Sequence, residues 1–254
     1  MIQSALSQTI FSISQKTLAN NSQTSFKRFN YKIAETYEEM ELAKNILMAA
    51  HQSRNSLTID FPPAKEEYAS KSIIFILEEN RRPVGTFSII IDSANQLPAD
   101  LTFSEELSEF RTPFRFLSEI CSLGFTKDCQ FKREMMFFAF FLATMQNFAL
   151  KISDCVVTVK EHHKCFYNGL NFVDLSTKKI SARSGATVQL LSVNNQIASQ
   201  NSGVNQNTFH LQSVNESNGY WKYIHRNIDE NYIEKILSNL KDEKFLIETE
   251  MLNV

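Results

Sequence analysis

Residues 159–172 read Val159-Lys160-Glu161-His162-His163-Lys164-Cys165-Phe166-Tyr167-Asn168-Gly169-Leu170-Asn171-Phe172. The stretch reads as the end of a strand, a short helix over His163–Gly169 and the start of another strand at Phe172. Phe166 and Tyr167 form an aromatic pair that faces the returning Leu170-Asn171-Phe172. Upstream, Cys155–Lys160 is β-branched and reads as a strand. It is preceded by Arg133–Leu150, an apolar run long enough for a core helix. Downstream, Ala186–Val193 reads as a final strand.

Further toward the N-terminus, Thr36-Tyr37-Glu38-Glu39 has the form of a capping box, in which hydroxyl and carboxylate satisfy each other's backbone amides. The helix it opens carries Met40, Ala43, Ile46, Leu47 and Ala50 at helical spacing. Ser72–Glu79 and Val84–Asp92 are apolar, β-rich runs joined at Asn80-Arg81-Arg82-Pro83, a hairpin. Phe103–Arg111 predicts a short acidic helix. Phe114–Leu123 alternates, with Phe114, Phe116, Ser118 and Ile120 on one face and Arg115, Leu117, Glu119 and Cys121 on the other, and predicts a strand. The order α, β-hairpin, β, α, β, α, β predicts an α/β fold, a mixed sheet with helices packed on it.

The chain has 254 residues and is 43% hydrophobic, enough for a packed core, and its net charge of −2 gives no reason to expect nucleic acid or an anionic membrane as a partner. Cys121, Cys129, Cys155 and Cys165 show no Cys-x-x-Cys spacing and are expected as buried thiols rather than disulfides. Residues 1–29 are rich in Ser, Gln and Asn and lack the basic start and sustained apolar run of a secretory signal, so they are expected to be a flexible leader and the cytoplasm the location. The apolar run from Met135 through Ala149 is interrupted by Thr144, Gln146 and Asn147, and falls short of the ~20 residues of a spanning helix. Residues 30–193 are expected as the main domain, 194–215 as a polar linker and 216–254 as a helical extension. In that extension Ile228, Tyr232, Ile233, Ile236 and Leu237 recur at helical spacing, with Trp221 and Tyr223 as anchors.

Three blocks carry a resemblance. The first is Val84-Gly85-Thr86-Phe87 with Asp92 and Leu97-Pro98-Ala99-Asp100. The second is Phe103, Glu106-Leu107, Arg111 and Phe116 through Leu123. The third is the opening segment, similar to the "Phe-Tyr-x-x-Leu-Gly-Phe" signature of the GNAT acyltransferase superfamily. In this order they resemble the bacterial long-chain N-acyl amino acid synthases, the acyl-tyrosine synthase type within that superfamily, over roughly residues 31–193. Departures are Glu161-His162-His163 for the family's Pro-Arg-His, Gln96 for the glycine of Gly-Leu-Pro, and Asn171 for the glycine before the last Phe. Asn tolerates the left-handed backbone at a helix end.

The resemblance implies a GNAT-like, mostly antiparallel sheet and an enzyme joining a long acyl chain to the amine of an amino acid. The donor is an acyl-phosphopantetheine thioester, with acyl carrier protein as partner ahead of acyl-CoA, and no bound cofactor is expected. Amide formation from a thioester needs a base for the amine, an oxyanion site and an acid for the leaving sulfur. Glu119 is the candidate base, directly or through water, or else a structural carboxylate paired with Arg115 or another cation. Tyr167 is the candidate acid, or else a core tyrosine anchored by its hydroxyl. Backbone amides around Cys121, Ser122 and Leu123 are candidates for the thioester carbonyl if the strand is splayed.

His163 is a candidate donor contact or a surface cap of the short helix. Arg111 and Arg115 are carried over as substrate-binding residues. His162, His163 and Cys165 match no standard zinc spacing, and no metal is expected. Acetyl-CoA-dependent relatives bind pyrophosphate with a glycine-rich loop opening the long helix. Here Thr126 through Arg133 contain no glycine, which points to a carrier protein, with Lys127, Lys132 and Arg133 as docking charges. Phe137, Phe138, Phe140 and Phe141 line an acyl tunnel or fill the core, the second being the ordinary role. Rival readings are an acyl-homoserine lactone-type signal synthase and a catalytically idle scaffold that binds acyl carriers or protein partners.

Overall fold

A computed structural model of the chain describes residues 28–52, 61–94 and 96–195. Strand β1 (Phe29–Ile33) leads into α1 (Tyr37–Gln52), and a short α2 (Glu66–Ala69) precedes the hairpin β2 (Ser72–Glu79) and β3 (Arg82–Ile91). Then follow α3 (Asp100–Phe110), β4 (Leu117–Phe125), α4 (Lys132–Ala149), β5 (Asp154–Lys160) and α5 (Lys164–Gly169). Strands β6 (Val173–Asp174), β7 (Lys179–Ile180) and β8 (Thr187–Asn194) complete the described fold. The strands form one sheet in the order β1-β2-β3-β4-β5-β8-β6, with β7 also on β8, and every pairing is antiparallel except β4 with β5.

Local signals act as expected. The Thr36 hydroxyl accepts the Glu39 N–H at 3.2 Å, and the Glu39 carboxylate accepts the Thr36 N–H at 3.3 Å and the Glu35 N–H at 2.9 Å. Lys32 binds the same carboxylate, and these bonds hold the Glu39 carboxyl down at about 2. Asn80 and Arg81 both have positive φ (52° and 66°), the backbone of the two-residue turn whose twist matches a hairpin. Across that hairpin Phe75 stacks on Phe87, centroids 4.5 Å apart.

The two sheet faces are covered differently. Helix α4 packs its Met135, Phe138, Phe141, Leu142 and Met145 onto the face of Phe87, Ile89, Ile120 and Val157. Phe137, Phe138, Phe140 and Phe141 are all buried in this core. Helices α1 and α3 cover the opposite face, α1 over Ile74 and Ile76, α3 over Ile90, Leu117, Val156 and Leu190.

Several expectations are corrected. β4 begins at Leu117, not Phe114, because the Arg115 N–H closes a turn onto the Thr112 carbonyl at 3.0 Å, and Phe114 and Phe116 stay exposed. Phe29, assigned to the leader from sequence, opens β1 and packs on Phe138. Cys129 and Cys155 are buried, but Cys121 is half-buried and Cys165 exposed. β1, α2 and β7 carried no pattern strong enough to be read. The rest of the leader, residues 196–215 of the linker and the 216–254 extension with Trp221, Tyr223 and the Ile228–Leu240 periodicity lie outside the described residues. Among the described residues, no helix is long and apolar enough to cross a membrane.

Candidate active site

The parallel pair is the key to the site. β4 and β5 pair only over Leu117↔Asp154, Ser118↔Cys155 and Glu119↔Val156. Beyond Glu119 the strands part, because each is held on its other edge: β4 by β3 as far as Phe125, β5 by β8 along its whole length. A bulge sharpens the divergence. Ser88 pairs with Cys121 but Thr86 with Gly124, so Phe87 opposes both Ser122 and Leu123, and Ser122 takes a left-handed backbone (φ 56°). A serine in that conformation is held against ~1–2 kcal/mol of steric preference, and bulges of this sort re-aim backbone groups. The segment Cys121-Ser122-Leu123 thus lies on the open side of the gap.

Glu119 stands at the apex, 1% exposed. Its Oε2 accepts the Ala99 N–H at 2.7 Å. Burial pushes its carboxyl up to about 7, against the pull of that N–H and of Arg183, while Asp100 and Asp92 push it further up. The loop that delivers Ala99 is clamped. Arg111 binds Asp92 (Nε–Oδ2 2.7 Å, Nη2–Oδ1 3.0 Å) and Asp100 (Nη1–Oδ1 2.7 Å, Nη2–Oδ2 2.6 Å), and Asp100 also accepts the Leu97 N–H at 2.7 Å. Arg115 is not the partner of Glu119. It lies over the Phe110 ring and 4.0 Å from Asp154, at the paired end of the two strands.

Gln96 enters this loop at φ 64°, left-handed where the resembled pattern has glycine. Gln96→Gly is expected to stabilise the protein by about 0.5–1 kcal/mol, the relieved backbone strain less glycine's entropy cost, read as a higher urea midpoint at unchanged slope.

On the other face Tyr167 meets Phe140, Phe166 and Phe172 edge-on at 5.4–5.5 Å. Its carbonyl accepts the Leu170 and Phe172 N–H groups, and Asn171 takes φ 67°, as its replacement of glycine requires. Burial, with the Cys155 thiol nearby, pushes the Tyr167 hydroxyl well above the ordinary phenol range, so it stays protonated at neutral pH. Cys155 in turn sits by Ser118 and Asn147, whose side chains bond each other at 2.9 Å.

Lys127, Lys132, Arg133 and His163 are all exposed at the end of the sheet where the gap opens, with Arg133 over the Phe137 ring and His163 against His162. The loop before α4 is closed on itself. The Cys129 N–H goes to Thr126 O, the Gln130 N–H to the buried Glu79 carboxylate at 2.9 Å, and the Phe131 N–H to the Cys129 sulfur. Among the described residues, no group of three or more His, Cys, Asp or Glu could hold a metal. Sequence reasoning missed Arg183 and the linkage of Arg111 through Asp100 to Ala99 and Glu119. The Leu97–Asp100 motif was visible, but nothing in the chain's pattern ties Arg183 to Glu119.

No curated protein sequence matches the chain. The solved structure of FeeM, an N-acyl amino acid synthase from uncultured soil microbes, superposes with TM-score 0.60 at 18% identity, over 66% of this chain and 93% of that one. The acyl-homoserine lactone (AHL) synthase LasI gives 0.50 at 14% identity, over 67% and 93%. At these identities the likeness shows a common fold, that of the GNAT superfamily. The N-acyl amino acid synthase FeeM family matches residues 50–194, more than half of the sequence and the whole of the α3–β4–α4–β5–β8 framework. The chain belongs to that family, and is an N-acyltransferase built on a GNAT fold.

Proposed function

We propose that the protein condenses a long-chain acyl group, delivered as a thioester on acyl carrier protein, with the amine of an amino acid. The observation that carries this reading is the parting of β4 from β5 directly after a buried carboxylate, with a bulge on the open side. A pantetheine arm entering the gap brings its thioester carbonyl to the amides around Cys121–Leu123. Glu119 takes a proton from the ammonium, directly or through a water, and the free amine attacks the carbonyl carbon. The C–S bond then breaks, Tyr167 gives its hydroxyl proton to the departing sulfur, and the products are an amide and a thiol. Arg111 acts here by fixing the loop that holds Glu119, and Arg115 by bracing the paired end of β4 and β5.

The closed loop before α4 supports the carrier-protein donor. In that stretch the amides of Cys129, Gln130 and Phe131 are consumed internally, one by the Glu79 carboxylate, and a pyrophosphate would meet a negative charge there. Lys127, Lys132 and Arg133, with His163, are suited to an acidic carrier at the mouth of the gap.

The test is expression in a bacterial host followed by mass spectrometry of extracted lipids against an empty-vector control, then turnover of purified protein with acyl carrier and acyl-CoA donors. A new series of N-acyl amino acids supports the reading and identifies head group and chain length. Acyl-homoserine lactones would replace it with signal synthesis. No product in either assay would leave a carrier-binding scaffold. Tyr167→Phe keeps the ring contacts and is expected to lower kcat about 10- to 100-fold with an unchanged melting temperature. Full activity in that variant removes the tyrosine from the proton path.

A further inference from the structure

On the sheet face covered by α3, register places Ser88 beside Cys121, Ile90 beside Glu119, and Glu119 beside Val156, with Thr158 one step further along β5. Ser88 and Thr158 therefore flank the carboxylate on the side where the gap opens. Their hydroxyl oxygens, Ser88 Oγ and Thr158 Oγ1, are buried without a hydrogen-bond partner. A buried hydroxyl left unpaired is costly, so each such group calls for a partner that the protein itself does not supply.

Arg183 approaches the same place from the β7–β8 turn. That turn is rigid: the Gly185 N–H bonds Ser181 O and the Ser181 N–H bonds Ala186 O, both at 2.8 Å, while Ser181 Oγ accepts the N–H groups of Arg183 and Ser184. It is docked on the first turns of α3 by the Ala182 N–H to Thr102 Oγ1 at 3.0 Å and by the Lys179–Glu106 ion pair at 2.8 Å. The neighbouring loop is the one whose Ala99 N–H holds Glu119. The positive charge of Arg183 reaches Glu119, whereas Arg111 is committed to Asp92 and Asp100.

We infer that Arg183, with the Ser88 and Thr158 hydroxyls, forms a subsite for the carboxylate of the acceptor, so that the site selects amines carrying a free α-carboxylate. An amino acid holds its ammonium and carboxylate on one carbon, and a site for it needs a base and a cation side by side. Glu119 and Arg183 are that pair, and a guanidinium matches a carboxylate's two oxygens. The pairing also times the chemistry. Once the acceptor carboxylate neutralises Arg183, Glu119 loses an attraction that favours its ionised form and holds a proton more tightly, as removal of one from the ammonium requires.

This subsite rests on the acyl-transfer reading, and the experiment separates the two. Purified full-length protein, with acyl carrier donor, is given L-phenylalanine, L-tyrosine and L-leucine, each against its decarboxylated amine. Wild type is expected to favour the amino acids. Arg183→Ala is expected to raise their KM about 10- to 100-fold, the worth of a charge-assisted hydrogen bond, with kcat and the KM of the plain amines little changed. Arg183→Lys should restore part of the loss. Equal effects on acids and amines, or no effect on either, overturn the subsite. If wild type acylates no acceptor, the acyl-transfer reading fails and calorimetry decides the subsite: N-dodecanoyl-L-phenylalanine binding more tightly than N-dodecanoylphenethylamine, through Arg183, upholds it, and equal affinities overturn it.

Discussion

Glu119→Gln is expected to lower acyl transfer roughly 10²–10⁴-fold, the range for losing a general base, without unfolding the protein. Gln keeps the shape and an oxygen that accepts the Ala99 N–H, so the 2.7 Å contact that fixes the loop survives. What it lacks is the ability to take a proton. The wild-type rate should climb with pH through about 7, where the buried carboxyl ionises, and the residual rate of the variant should show no such limb.

Stability runs the other way. The folded carboxyl, at about 7 against an ordinary 4.5, keeps its proton after the unfolded chain has lost its own. Between these values the folded state binds more protons, so stability falls as pH rises, by roughly 3 kcal/mol in all. Below 4.5 both states are protonated and the effect is absent. Chemical denaturation of wild type and Glu119→Gln across pH 4–8 checks this: the variant should lack the decline. A variant with wild-type turnover, or a pH–rate profile unchanged near 7, would remove Glu119 from the proton path.

Arg111→Ala should be the most damaging structural change in the site. It leaves Asp100, with a side chain 4% exposed, and Asp92, at 14%, facing each other without the guanidinium that bonds both. Breaking a buried ion pair from one side costs about 3–5 kcal/mol, and the partial exposure of Arg111 places this case toward the lower end. Arg111→Lys should recover little, because one ammonium cannot bond two carboxylates in the forked geometry. Urea midpoints read the stability loss. At permissive temperature both variants should also lose kcat, since Asp100 holds Leu97 and the same loop presents Ala99 to Glu119. A midpoint within 1 kcal/mol of wild type, by the usual conversion, would show that the two aspartates are satisfied without Arg111.

The resemblance suggested Arg111 and Arg115 as substrate contacts from their place in a motif. Their guanidiniums meet aspartates of the chain itself, Arg111 by four short bonds and Arg115 more loosely, and the cation whose charge reaches the buried carboxylate is Arg183. A motif keeps residues that build the site as readily as residues that touch the ligand.

Where interactions are local, the sequence was sufficient. Thr36 and Glu39 meet within one helical turn, Asn80 and Arg81 close a hairpin between strands adjacent in the chain, and Asn171 tolerates the backbone that ends α5. The long apolar helix and the strands around it follow from periodicity, and with the three motif blocks they specified the GNAT arrangement and the family. The tertiary structure alone decided what depends on distant segments. Whether Glu119 ionises turns on burial under α3 and on Ala99, Asp92, Asp100 and Arg183, which are brought together only when the sheet closes. The gap after Glu119 likewise belongs to no single strand. It exists because β3 and β8 pull β4 and β5 apart, and a pairing that fails to form leaves no mark in the residues on either side.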